Sequence, residues 1–157
     1  ILNDHNSNKI SSSAIRENLK SGKFELANKD LERNFSVAGK VIKGDQRGRT
    51  IGIPTANLEY PLNTITIPYG VYAVETLIEG NTYFGIVNFG IRPTFNKDKP
   101  IVEAYLFDFD NDIYGKNIEI LFHKQIRQEK KFNDIKELLN QINIDIAEAK
   151  KILKYGN

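Results

Sequence analysis

The amino-acid sequence predicts a mainly β fold: about six strands in a small closed antiparallel barrel, with helices before and after it. Three observations predict this. Apolar residues alternate with a period of two in successive runs between Phe35 and Lys124. The runs are joined by connections rich in Gly, Pro, Asn and Asp, as hairpin-type turns are. Helical spacing is confined to the two ends of the chain. At 157 residues, 40% apolar and 10% aromatic, the chain fits one domain with at most a short appendage and can build a core without staples.

Ile1 to Lys9 is polar and irregular. Ser11-Ser12-Ser13 precedes Ala14–Lys20, and serines before an apolar-periodic run mark a helix start. Ser21-Gly22 closes that helix, and Phe24, Ala27 and Leu31 carry a second short one. From Phe35 the period changes to that of a strand running to Ile42. A glycine loop and a segment containing Pro54 and Pro61 follow. Gly70–Ile78 is apolar on both faces, as a central strand is. Glu79-Gly80-Asn81 is a hairpin turn and Thr82–Phe89 its partner strand, after which Gly90–Asn96 reads as a loop. Ile101–Phe109 is the next strand, Asp110–Lys116 a turn, and Asn117–Lys124 the last strand. Lys124–Lys131 reads as a charged connection. Phe132, Ile135, Leu138, Leu139 and Ile142 have helical spacing. A final helix is predicted from a capping box at Asp145-Ile146-Ala147-Glu148, with Gly156 as its C-cap.

Composition excludes several classes of function. With no cysteine there is no disulfide and no thiolate metal site, in keeping with a reducing compartment. Twenty-two basic against 20 acidic residues give a net charge of +2, too balanced for a non-specific nucleic-acid binder. No run is long enough for a membrane helix, and residues 1–20 lack the apolar core of a signal peptide. Asp4, His5 and His123 show no metal-ligand spacing, and Asp110–Lys116 lacks that of a calcium loop. The chain has no Met and starts at Ile1, which reads as a processed form or an excised fragment.

Two features point to chemistry. The loop Gly44–Thr50 is basic and glycine-spaced, and exposed backbone N–H groups of such loops suit phosphate oxygens. It has one residue too few between its glycines for a P-loop, and Arg49 stands where the lysine belongs. Thr55 and Asn57 lie two apart, on one face of an extended segment. A phosphate-and-metal site and a plain hairpin connection both fit these residues. The second feature is Glu103, on a strand face shared with Ile101, Tyr105, Phe107 and Phe109. A carboxylate among apolar groups needs a partner or a task. A general base activated by desolvation and a strand-end Glu reaching water both fit it.

Collinear stretches then resemble a known family. They are Gly52-Ile53-Pro54-Thr55-Ala56-Asn57-Leu58, Gly70-Val71-Tyr72-Ala73, Asn88–Phe95, Val102–Phe109 with Tyr114-Gly115, and Arg127-Gln128-Glu129-Lys130-Lys131-Phe132. Together they resemble riboflavin kinase over roughly residues 33–155. Lys9–Arg16 is similar to the end of the FMN adenylyltransferase domain of bifunctional bacterial FAD synthetases. One departure is Glu32, where family members often carry Gly.

The resemblance implies a six-stranded Greek-key barrel over residues 33–157, preceded by a helical remnant of the adenylyltransferase domain over 1–32. It implies ATP-dependent phosphorylation of riboflavin to FMN in the cytoplasm, with Mg²⁺ as cofactor. FAD synthesis is not expected, because that domain's nucleotide-binding body is absent from the sequence. By resemblance, Glu103 is the catalytic base, and Gly44 to Gly52 form a flap over the nucleotide. Gly44, Arg49, Gly52, Pro54, Thr55, Asn57 and Tyr114 meet ATP, with Thr55 and Asn57 at the metal. Arg127, Glu129 and Phe132 lie near the flavin. An adenylyltransferase domain is expected to precede the barrel in the full-length protein. The competing expectations are a flavin-binding barrel without catalysis and a structural interaction domain in which the glycine loop is only a hairpin.

Overall fold

The computed structural model describes residues 2–3, 9–10, 12–44, 52–93 and 98–156. In chain order these form β1 (Leu2–Asn3), β2 (Lys9–Ile10), α1 (Ser12–Lys20), α2 (Phe24–Leu31), β3 (Ser36–Ile42) and β4 (Ala56–Glu59). They continue with β5 (Gly70–Ile78), β6 (Asn81–Pro93), β7 (Asp98–Leu106), β8 (Asn117–Gln128) and α3 (Ile135–Leu153). β3 to β8 close into a barrel of order β3-β4-β7-β6-β5-β8, with every neighbour antiparallel. β5, β6 and β7 follow one another, and β8 returns beside β5, which makes a Greek key.

Alternation sets the two faces of the wall. Val74, Val87, Val102, Ile120 and Phe122 point inward, where they are buried with Leu58, Tyr72 and Phe89. Helices α1 and α2 add Ile15, Leu19, Phe24 and Ala27 to the same cluster. Phe24 meets the rings of Tyr72 and Phe122 at centroid distances of 5.2 and 6.1 Å. Asn28 ties α2 to the wall: its Nδ2 donates to the Phe122 carbonyl at 2.9 Å, and its Oδ1 accepts from the Phe35 N–H at 2.7 Å. Glu32 ends α2 in the left-handed conformation (φ 59°, ψ 18°), a place where glycine carries no steric cost. At the β5–β6 turn Glu79 and Gly80 both have positive φ, as a two-residue hairpin of type I′ requires.

The outer face of β5 and β6 is covered by α3. Val71, Ala73 and Ile86 pack with Phe107 and with Ala149 of the helix, and Ile142, Ile146, Ile152 and Leu153 lie against them. At 19 residues α3 is roughly 28 Å long.

Several boundaries differ from the sequence expectations. β6 does not stop at Phe89; it runs on to Pro93, because β7 is long enough to pair Gly90 with Ile101 and Arg92 with Lys99. β8 likewise reaches Gln128 rather than becoming a connection at Lys124, with two register shifts against β5 absorbing the extra length. β7 spans Asp98–Leu106 rather than Ile101–Phe109. The two expected C-terminal helices are one. No Gly or Pro occurs between Asn133 and Tyr155 to interrupt it. The cap is Asp134, whose Oδ1 accepts from the Glu137 N–H at 2.8 Å. Asp145 is therefore not a cap, and Lys154, left-handed at φ 54°, takes the C-cap place expected for Gly156. At the other end, Ser12 and Ser13 lie inside the first turn of α1, and Ser11 lies outside the described residues. Within the segment expected to be irregular, Leu2 and Asn3 pair with Ile10 and Lys9.

Candidate active site

Register decides which side chains meet on the outer face of the barrel. Asn57 of β4 pairs with Glu103 of β7, and Glu103 pairs with Asn88 of β6. Directly paired residues point to the same face with Cβ atoms about 5 Å apart. Asn57, Glu103 and Asn88 thus form one row across three strands.

Two clefts flank this row. The first, about 230 Å³, lies between the ends of β3 and β4 and the turn before β8. Lys43, Gly44, Pro54, Thr55, Asn57, Asp110, Asp112 and Tyr114 are among the residues that line it. Asn57 is only 9% exposed, and its carboxamide lies against the Gly44 backbone. A Cβ on residue 44 would stand 2.1 Å from Asn57 Nδ2, so the approach requires glycine. Lys43 Nζ sits 5.5 Å from the centre of the exposed Tyr114 ring. The second cleft, about 600 Å³, lies between the outer face and α3 and is within the range of small-molecule sites. Val71, Ile86, Tyr105, Phe132, Leu138 and Ile142 give it apolar walls, and Asn88, Arg92, Glu103, Arg127, Glu129 and Asp145 give it polar points. Thr55 lines both clefts.

The polar points are strongly paired. Arg92 donates to Glu103 at 2.7 Å and to Glu129 at 3.0 Å. Burial opposes the Arg92 charge, but the two carboxylates outweigh it and hold the guanidinium pKa above its ordinary value. Arg127 is spent on Asp145, donating from Nε at 3.0 Å and from Nη2 at 2.9 Å. Asp145 is buried on α3 and also accepts from Gln141 at 3.0 Å. The Arg127 guanidinium lies 5.7 Å from the centre of the Phe132 ring, an arrangement that can present a flat face to an aromatic ligand. Among the described residues the buried Asn88 side-chain oxygen has no hydrogen-bond partner. Among the described residues no group of three or more His, Cys, Asp or Glu could hold a metal ion. The hydroxyl of Thr55 and carbonyl of Asn57 are nonetheless hard oxygen donors of the kind magnesium takes alongside phosphates and water.

A protein-family model described as riboflavin kinase matches residues 31–153. The chain belongs to the riboflavin kinase family. It is 49% identical over 144 residues to the bifunctional riboflavin kinase/FMN adenylyltransferase of Bacillus subtilis strain 168, and 40% identical over 145 residues to that of Escherichia coli K12. These matches take in 90% and 91% of this chain but 46% of each relative. The chain therefore spans about half the length of the curated relatives it matches. Among solved structures, one described as a macrolide-efflux protein from Streptococcus pneumoniae superposes with a TM-score of 0.83 at 34% identity. That match covers 95% of this chain and 48% of the other. Riboflavin kinase from Trypanosoma brucei superposes with a TM-score of 0.54 at 20% identity, over 77% of this chain and 80% of that one, and shows the shared fold.

Within this riboflavin kinase domain, the expected residues separate by cleft. Gly44, Pro54, Thr55, Asn57 and Tyr114 gather at the first, and Glu103, Arg127, Glu129 and Phe132 at the second. Gly52, exposed at φ 82°, lines neither, and Arg49 lies outside the described residues, as does most of the expected flap. Glu103 does share the outer face with Ile101 and Tyr105, and Arg92 is its partner there. Sequence reasoning missed Asn88, Arg92 and Asp145. Asn88, Gly90 and Arg92 fall two apart, which was a signal for a longer strand. Asp145 sits three residues after Ile142 and four before Ala149, on the apolar stripe of one helix.

Proposed function

We propose that the chain transfers the γ-phosphoryl group of ATP to the ribityl 5′-hydroxyl of riboflavin, giving FMN and ADP. The observation that supports this best is the pairing of Asn57 with Glu103 where the two clefts adjoin, with Thr55 lining both. Phosphoryl transfer asks a protein mainly to position its reactants and neutralise charge. A residue holding the γ-phosphate of one substrate must then stand beside a base that meets the attacking hydroxyl of the other.

In this reading the first cleft takes ATP through Gly44, Pro54, Thr55, Asn57 and Tyr114, and Arg49 and Gly52 belong to the flap proposed to meet the nucleotide. The second takes the flavin ring against Phe132 and the face of Arg127, with Glu129 beside it. Glu103 accepts the proton of the 5′-hydroxyl as its oxygen bonds to the γ-phosphorus, and the bond to the bridging oxygen breaks to release ADP. Thr55 and Asn57 would hold Mg²⁺, which when bound neutralises phosphate charge. Both residues are neutral, so they would orient the ion rather than compete with the phosphates for it. The reaction is assigned to the cytoplasm because its phosphoryl donor is ATP. Neither nucleic acid nor membrane enters the reading, and no helix among the described residues is long and apolar enough to cross a membrane. We further propose that residues 1–32 correspond to the end of the adenylyltransferase part of the bifunctional relatives. The start of the family match at residue 31 supports that division.

The test is incubation with ATP, Mg²⁺ and riboflavin, followed by chromatography for FMN. Riboflavin binding without FMN formation would favour a non-catalytic flavin-binding barrel. Glu103→Gln is expected to keep the fold and riboflavin binding while losing about a hundred- to ten-thousand-fold in turnover. A near-wild-type kcat in that variant would remove Glu103 as the base.

A further inference from the structure

Arg92 stands between two carboxylates of the second cleft. Its Nε donates to Glu103 Oε1 at 2.7 Å, and its Nη1 donates to Glu129 Oε1 at 3.0 Å. Nη1 also donates to the Ile91 carbonyl at 2.9 Å, which fixes the guanidinium against its own strand. The Arg92 and Glu103 side chains are 29% and 25% exposed, so solvent competes only weakly with this pair. The neighbouring strand position is built to admit it. A Cβ at Gly90 would stand 2.0 Å from Glu129 Oε1 and 2.8 Å from Arg92 Nη1, so glycine there leaves the space in which the second carboxylate reaches the guanidinium. Glu129 comes from the segment after β8, while Arg92 and Gly90 come from the end of β6. Two elements distant in sequence therefore converge on the partner of one carboxylate.

A carboxylate on a three-bond side chain has rotamer freedom that a reacting geometry cannot tolerate. Arginine suits the task of removing it, because its planar fork is always charged and engages two groups at fixed angles. We propose that Arg92 is a positioning residue for phosphoryl transfer: it holds the Glu103 carboxylate in place on the cleft wall, and Glu129, admitted by Gly90, holds Arg92. The proposal rests on the reading of Glu103 as the base. It gives Glu129 an indirect part in the reaction in addition to any contact with the flavin.

Steady-state kinetics on Arg92→Met, Gly90→Ala, Glu103→Gln and the Arg92→Met/Glu103→Gln double variant test it. Arg92→Met is expected to lower kcat by about a hundredfold, with KM for MgATP unchanged. Gly90→Ala, which retains every charged group, is expected to lower kcat in the same sense, and it carries the test alone if Arg92→Met does not fold. The double variant is expected to lose nothing beyond Glu103→Gln, because Arg92 acts through that carboxylate. Unchanged kcat in the folded single variants would overturn the proposal. So would a further loss of about tenfold or more in the double variant, since Arg92 would then contact the reacting groups itself. Absence of FMN formation by the wild-type chain, or full turnover by Glu103→Gln, would instead fail the reading of the site, and this proposal with it.

Discussion

Asn57 shows how much one glycine can decide. Its carboxamide rests on the Gly44 backbone so closely that a methyl group there would lie 2.5 Å from Asn57 Cγ. The sequence motivates Gly44 as a presenter of backbone N–H groups to phosphate, and the structure adds a second reason for a residue without a side chain. Gly44→Ala must push the Asn57 amide aside, so it should act as a weaker copy of Asn57→Ala. Each is expected to weaken MgATP binding, Asn57→Ala by about tenfold or more, the scale of one hydrogen bond to a charged group. Riboflavin binding should change less in both. Calorimetric titrations with each ligand measure this directly, and an equal loss for the two ligands would take Asn57 out of the nucleotide side.

The element that most shapes the second cleft is α3, and its docking depends on an ion pair under it. Asp145 has a side chain only 2% exposed, and Arg127 one that is 17% exposed. Removing one partner leaves the other charge buried alone. Asp145→Ala is therefore expected to cost about 3–5 kcal/mol in urea unfolding, while the double replacement Arg127→Met/Asp145→Leu should recover much of it. A single variant with the wild-type midpoint would show that α3 docks through its apolar stripe alone. This pair also marks where reading from sequence stopped. Both Asp134-x-x-Glu137 and Asp145-x-x-Glu148 satisfy a capping pattern, and local chemistry does not choose between them. The choice was made by the apolar stripe Ile142, Ile146 and Ala149, which runs without a break past Asp145 and needs one continuous helix to cover the barrel. Strand β5 was legible because it is apolar on both faces, and the middle of β7 because its alternation sits over the core, although β7 ends at Leu106 rather than Phe109. The ends of β6 and β8 were not, because there glycine and charged residues replace apolar ones and only pairing with a neighbour keeps the backbone extended. Glu103 stood out as a carboxylate on an apolar face, but Arg92 was hidden in a stretch that local pattern read as loop.

At the scale of the molecule, the closed sheet, its two N-terminal helices and α3 share the work of burial. Helices α1 and α2 contribute to the interior cluster, while α3 encloses a second one outside the wall. The wall itself is stitched unevenly. Among the described residues β5 and β6 share nine paired positions, whereas β3 and β4 share two, Val41 with Leu58 and Ile42 with Asn57. A ring opens first at its shortest join, and such local openings cost less than global unfolding. Here the join borders the first cleft, since Val41, Ile42 and Asn57 all line it. Hydrogen exchange at the backbone amides of Ile42, Asn57 and Leu58 should accordingly be faster than at those of β5 and β6. Saturating MgATP should slow it preferentially, because a ligand that binds only the closed form weighs against each opening. Uniform slowing across all six strands would show that the barrel opens only as a whole. A nucleotide held at that join would supply the closure that backbone pairing leaves thin, so the substrate would act as a removable staple in the protein's own wall.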